Sequence, residues 1–257
     1  MRTIRIFAAA ATCLTAASLF AQGAVPASGK DVLAQMRAKY AGEWYKSLTF
    51  SQTTTLRQRD GRDTVQTWYE TLRYTPEHGA QLRIDVAPLS AGNASLSTWD
   101  STWVLRADTL AAARAGGNPF LALIEGVYLQ TVERTIPQLA PLGFDLMKLR
   151  SAEWQGQAVW IVGATDPADT TSAQFWVESK HLMVVRIVLA GGGRAPLDIR
   201  LGALAPCGKG WLATKVEMMQ GGQRRQLEEY HDWKCDTSFD PQLFNPGAGK
   251  TAKHWAR

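Results

Sequence analysis

The chain is poor in the residues from which redox, metal and hydrolytic centres are usually built. It has three cysteines and four histidines in 257 residues. No Cys-x-x-Cys, His-Glu-x-x-His, zinc-ribbon spacing or Gly-x-Ser-x-Gly occurs, so the common zinc and serine-nucleophile sites are excluded as local motifs. His78, His181, His231 and His254 are far apart along the chain and read as solvated or hydrogen-bonded residues. Gly247 to Thr251 has the look of the end of a phosphate-binding loop, but Phe244 stands where the first glycine is required and too few residues follow to build the helix. No metal and no cofactor is expected. Excess charge is scarce as well. The net charge of +5 falls to +3 once Arg2 and Arg5 are set aside, and the basic residues are scattered, so a nucleic-acid groove is not expected.

Long apolar runs are missing except at the start. Arg2 and Arg5 precede the small and apolar run Ile6 to Leu19, which ends at Phe20-Ala21-Gln22. This is the pattern of a secretory signal peptide, too short to span a bilayer, with cleavage expected after Ala21 or after Gly23. Cys13 sits too early in that run, and without a leucine-led box, to mark a lipid anchor. The segment 1–21 is therefore read as an export signal, which places the mature chain in the periplasm. There, Cys207 and Cys235 are the two thiols left, and an even pair in an oxidising compartment is a disulfide candidate, with a redox or metal pair as the weaker alternative.

The mature part begins with one amphipathic helix. From Asp31 as N-cap, Val32, Leu33, Met36, Tyr40 and Trp44 recur at steps of three and four, and the helix is expected to end near Trp44 to Lys46. After it the period changes to two. Leu48, Phe50 and Leu56, the turn Asp60-Gly61, and Trp68, Leu72 and Tyr74 describe a hairpin; Leu82, Ile84 and Val86 give a third strand and Leu96 to Leu105 a fourth. From Asn118 to Leu149 the strand signal lapses. Pro119 to Leu129 reads as a helix that is apolar nearly all round, either a plug in the core or the lid of a ligand cavity. Strands resume from Ala158 to Trp233, with the Gly221-Gly222 pair as a hairpin turn. About ten locally paired strands and two helical segments predict an α+β protein with a large curved antiparallel sheet, whose apolar face the helices must cover.

Tryptophan is abundant, at ten residues. Large rings either fill the space under a curved sheet or line a cavity for an apolar ligand. On the cavity reading, the residues expected to line it are Trp68, Leu82, Ile84, Trp103, Leu121, Ile124, Trp160, Ile199, Val216 and Met218. Glu228 and Glu229 are a candidate carboxylate pair, but alternation puts them on opposite faces of one strand, with one expected in solvent.

The layout resembles a known family. The N-terminal helix, the hairpin Ser47 to Tyr74, the segment Tyr74-Thr75-Pro76 leading to Leu82-Arg83-Ile84-Asp85, and the closing Phe239-Asp240-Pro241-Gln242-Leu243-Phe244 are similar to the outer-membrane lipoprotein carrier and its relatives, over Asp31 to Pro246. The resemblance implies a half-open β-barrel with helices over its concave face, a periplasmic location, and lipid or lipoprotein acyl chains as the cargo. It also implies a membrane-bound donor or acceptor protein, and an arginine in contact with the lid, for which Arg57 is a candidate position. Residues 22–246 are then one carrier-like domain, 247–257 a basic flexible tail, and the protein a monomer. A sensor or adaptor on the same scaffold is the alternative. An enzyme with a dispersed site is the third reading.

Overall fold

The computed structural model describes residues 25–256, so the expected signal peptide and its cleavage sites lie outside the described residues. Thirteen strands form one antiparallel sheet: β1 (Ser47–Arg57), β2 (Asp63–Thr75), β3 (Gly79–Val86), β4 (Asn93–Ser97), β5 (Ser101–Arg106), β6 (Thr109–Ala115), β7 (Leu149–Trp154), β8 (Gln157–Val162), β9 (Gln174–Glu178), β10 (Val184–Leu189), β11 (Leu197–Cys207), β12 (Gly210–Gln220) and β13 (Gln223–Cys235). Their order is β6-β5-β4-β3-β2-β1-β13-β12-β11-β10-β9-β8-β7. Each half is a meander of consecutive hairpins. The halves join where the first strand pairs with the last, Leu48 opposite Cys235 and Leu56 opposite Gln226. The sheet does not close, since β6 and β7 remain its two edges. This is the expected α+β, half-open architecture.

That order dictates where the helices go. The chain leaves one edge at β6 and must re-enter at the other edge, β7, so residues 116–148 cross the whole open face. The crossover contains a π-helical turn, Ala122–Gly126, followed by α2 (Val127–Leu129) and α3 (Val132–Leu139). Before the sheet comes α1 (Gly29–Lys39), which lies with the crossover on the concave side. Its N-cap is Ser28, whose Oγ accepts from the Asp31 backbone N–H, while the Asp31 carboxylate accepts from the Ser28 hydroxyl and the Ala27 N–H. Asp31 therefore belongs to the first turn, and the helix starts earlier than expected. It also stops earlier: Tyr40 is the C-cap, and Gly42, at φ +78°, turns the chain so that Trp44 and Tyr45 enter the core outside the helix.

Val32, Leu33, Met36, Leu48, Leu121, Leu123, Val127, Phe175 and Ile187 are among the residues that make the main core between sheet and helices. The convex face is covered in part by the C-terminal segment. Leu243, Phe244 and Ala252 pack on Ala94, Leu96 and Leu105. The Trp255 indole N–H donates to Thr71 Oγ1 at 2.8 Å, and His254 is buried 3.3 Å from Asp85, which also pairs with Arg83 at 2.6 Å. The segment expected to be a free tail is thus docked through residue 256, because its apolar and aromatic side chains have a place on the sheet.

The strand reading missed β6 and β7 and merged β4 with β5. β6 carries mostly alanine and presents little alternation, and β7 has no fully buried residue. The Gly221-Gly222 hairpin forms as expected, with φ of +58° and +76°, the left-handed pair that a two-residue turn of this kind requires.

Cys207 and Cys235 form a disulfide across β12, with Cα atoms 5.7 Å apart and a sequence separation of 28. A loop of that length is worth about 3 to 4 kcal/mol in the chain-entropy account. Denatured, unreduced protein should show no reactive thiol from this pair, and reduction should lower the melting temperature. Two labelled thiols per chain before reduction would contradict the pairing.

Candidate functional site

A cavity of about 290 Å³ lies between the concave face and the crossover. Period-two alternation aims one set of side chains from each strand into it. β1 contributes Leu48 and Phe50, β2 Trp68, Glu70 and Leu72, β3 Leu82 and Ile84, β11 Ile199 and Leu201, β12 Leu212, Val216 and Met218, and β13 Gln226, Glu228 and Tyr230. The roof is Phe120, Leu121, Ile124 and Glu125. Of the residues expected around a cavity, Trp68, Leu82, Ile84, Leu121, Ile124, Ile199, Val216 and Met218 are brought together here. Trp103 is not: β4 and β5 turn their apolar side chains to the convex face, and Trp103 packs beside Leu243 and Phe244. Trp160 packs against the main core from β8, three strands beyond β11, and lies outside the cavity lining.

The π-helical turn makes the roof two-sided. Leu123 and Val127 are sealed in the core while Ile124 and Glu125 reach the cavity. Such a turn widens the helix by one residue and often accompanies functional positions. Glu125 is held from the other side: its carboxylate accepts from the Trp44 indole N–H at 2.9 Å and from the Tyr45 hydroxyl at 2.7 Å. Trp44 in turn stacks on Tyr128 at 3.8 Å between centroids, and Tyr128 donates to the Leu182 carbonyl. The near ring of Trp44 also lies over Gly210, where an added Cβ would fall 2.7 Å from it, so only glycine fits that position. Farther along, the Arg134 guanidinium of α3 donates to the carbonyls of Pro76 and Glu77 in the β2–β3 turn. The crossover is tied down at both ends by directional bonds. Arg57, the candidate position for a lid-contacting arginine, is not one of these ties. It lies at the tip of the β1–β2 hairpin, paired with Asp63 at 2.6 Å and grouped with Arg59, Arg224 and Arg225.

Three carboxyl groups line the largely apolar cavity, and of these only Glu228 stands out in the sequence. Of Glu228 and Glu229, it is Glu229 that faces solvent and Glu228 that is buried. Glu70 was legible in principle, because Trp68-x-Glu70-x-Leu72 alternates in phase and puts Glu70 on the inner face. Burial raises Glu70 well above the ordinary carboxylate range, and the nearby Glu228 adds to it. Glu228 is raised by burial against the restraint of two bonds, from the Tyr230 hydroxyl at 2.9 Å and the Gln226 amide at 2.5 Å. Burial lifts Glu125 to about 7 despite its two donors.

No family model matches the chain, and no curated protein matches it. Solved structures do share its fold. A domain ascribed to outer membrane lipoprotein sorting in Vibrio parahaemolyticus superposes with a TM-score of 0.57 at 13% identity, covering 84% of this chain and 96% of that one. A DUF1329 family protein from Desulfovibrio piger gives 0.59 at 14% identity, covering 84% and 95%. A LolA superfamily protein from Nitrosomonas europaea gives 0.52 at 11% identity, covering 85% and 98%. The chain has the LolA-like fold.

The buried carboxyls set a pH dependence of stability. In the unfolded chain they titrate near 4.5, and in the folded chain higher, so between about 4.5 and about 7 the folded state holds protons that the unfolded state has released. Stability therefore falls as pH rises through that window. The lowered carboxyl of Asp85 acts below its ordinary 3.8 and does not offset this. Thermal melts should give a lower Tm at about pH 7.5 than at about pH 5, and Glu70→Gln should narrow the gap. A Tm that rises over this window, or a gap unchanged in Glu70→Gln, would count against the assignment.

Proposed function

Starting from a fold shared with lipoprotein-sorting domains, we propose that this chain is a periplasmic carrier or chaperone that shields the acyl chains of lipids or lipoproteins. The observation that carries the reading is the cavity itself, with apolar walls from six strands and a roof supplied by the edge-to-edge crossover. Binding of this kind needs apolar area and little else. Each methylene removed from water contributes about 0.8 kcal/mol, so a chain of about ten carbons supplies about 8 kcal/mol against the costs of ordering. At about 290 Å³ the cavity is at the small end for ligand pockets. It suits one chain segment, and longer cargo requires the roof to lift.

The N-terminal run of residues 1–21 supports export to the periplasm, and residues 22–246 are taken as one carrier domain with the C-terminal segment docked on its back. Recognition through apolar area makes this a binding protein and not an enzyme, acting as a monomer that receives or hands over its cargo at a membrane-bound partner.

An apolar fluorophore should bind the folded protein saturably, with one site per chain, and be displaced by single-chain lipids. Ile84→Trp, which fills the cavity from β3, should weaken that binding about tenfold while leaving the far-ultraviolet circular dichroism unchanged. Amides 122–129 should exchange faster than amides 216–218 in free protein and slow when the cavity is filled. Protection equal to the central strands, unchanged by ligand, would make the crossover a fixed plug and remove the carrier reading.

A further inference from the structure

The floor of the cavity has a carboxyl that no donor among the described residues reaches. Glu70 is 6% exposed, points into the cavity from β2, and has no hydrogen-bond partner among the described residues. Glu228 accepts from the Gln226 amide and the Tyr230 hydroxyl, and neither of these donates to Glu70. Between the two glutamates on β1 lies Gln52, fully buried and in register with Trp68 on one side and Tyr230 on the other. One of its amide N–H groups donates to Thr54, at 2.8 Å, and its carbonyl oxygen accepts nothing. Across the cavity, Glu125 is occupied by Trp44 and Tyr45. Among the described residues no Lys, Arg or His lines this space. A buried acceptor left unpaired is costly, and a second carboxyl close to it makes the cost larger. The aromatic faces beside Glu70 are those of Trp68 and of Phe50, which stacks on Tyr230 at 4.3 Å. Such faces attract a cation.

We propose that the cavity is selective for amphiphiles whose apolar chain ends in a primary ammonium, with Glu70 as the acceptor of that ammonium and Glu228 as its neighbouring counter-charge. The inference rests on the carrier reading and narrows its cargo. The apolar wall from Leu82 and Ile84 to Ile199 and Val216 takes the chain, and the ammonium donates to the unpaired oxygens of Glu70, which line the cavity. A free fatty acid brings one more anion to the same place and is disfavoured. The protonation balance follows. A cation entering beside the two glutamates displaces a proton from the pair, so binding releases a proton to solvent and strengthens as pH rises toward the amine's own titration. The groups that face Glu70 in this exchange are Glu228, Tyr230 and Gln226 from β13, Gln52 from β1, Trp68 from its own strand, and Glu125 from the crossover.

The test is competition of decylamine, decanol and decanoate against a bound apolar fluorophore, on the full mature chain. At about pH 8, decylamine should bind about tenfold or more tightly than decanol, the range a charge-assisted bond in a dry site supplies, and decanoate more weakly than either. The preference for the amine should shrink toward about pH 5. Glu70→Gln should bring decylamine within about threefold of decanol, and Glu228→Gln, which keeps Glu70, should retain part of the preference. A single-chain phosphatidylethanolamine carries the same ammonium on a lipid headgroup: Glu70-dependent competition by it assigns the cargo to headgroups, and competition by decylamine alone assigns it to simple alkylamines. Equal binding of all three decyl compounds, or an amine preference that survives Glu70→Gln with circular dichroism intact, overturns the headgroup selectivity and leaves the carrier reading standing. Failure of every decyl compound to displace the fluorophore overturns both.

Discussion

The pairing of the first strand with the last governs this molecule. Because β1 lies beside β13 at the middle of the sheet, the two meanders grow outward in opposite directions and the middle of the chain is left at two distant edges. The connection between β6 and β7 then has to span the sheet from edge to edge, and it does so across the concave face. A covering layer follows from the order of strands before any side chain of the crossover is considered. The disulfide reinforces the same seam, holding the end of β11 to the end of β13 where β13 meets Leu48.

What the crossover does on that face is set by a small number of directional contacts in a large apolar one. Leu121, Leu123 and Val127 supply contact area, which has no preferred rotation. Orientation comes from Glu125, gripped by Trp44 and Tyr45, from the Trp44–Tyr128 stack, and from Arg134 on the β2–β3 turn. Placing a carboxyl there is expensive, and its raised titration is the sign of that cost. The expense is met by two good donors in a dry site. Glu70 has no such compensation, and the asymmetry between two buried glutamates on facing walls of one cavity is what distinguishes a structural carboxyl from one left open for a ligand.

The back of the sheet shows the same economy in another form. A sheet of this size with one face filled by helices still presents apolar side chains on the other, as Ala94, Leu96 and Leu105 do. The closing segment covers them, with Leu243 and Phe244 in contact and Arg83 donating to the Leu243 carbonyl at 2.8 Å. Arg73 lies over the Phe244 ring at 4.2 Å.

The period of the apolar residues carried much of this fold in the sequence. Alternation in β1, β2, β3, β11, β12 and β13 gave both the strands and the face each side chain takes, and so placed Trp68, Leu82, Ile84, Ile199, Val216 and Met218 on one surface before any coordinates. It failed where there was little to alternate, in alanine-rich β6 and half-exposed β7, and where two faces were both apolar, so that Trp103 and Trp160 could not be assigned to the right side or the right end. Local chemistry also determined the paired cysteines and the Gly221-Gly222 turn, since both depend on few residues. What only the tertiary structure decided is which strands are neighbours across long sequence separations, and hence that Glu70, Glu125 and Glu228, from three distant parts of the chain, meet in one cavity. Their burial and their partners are properties of that meeting, because desolvation depends on everything packed around a group and no stretch of sequence contains it.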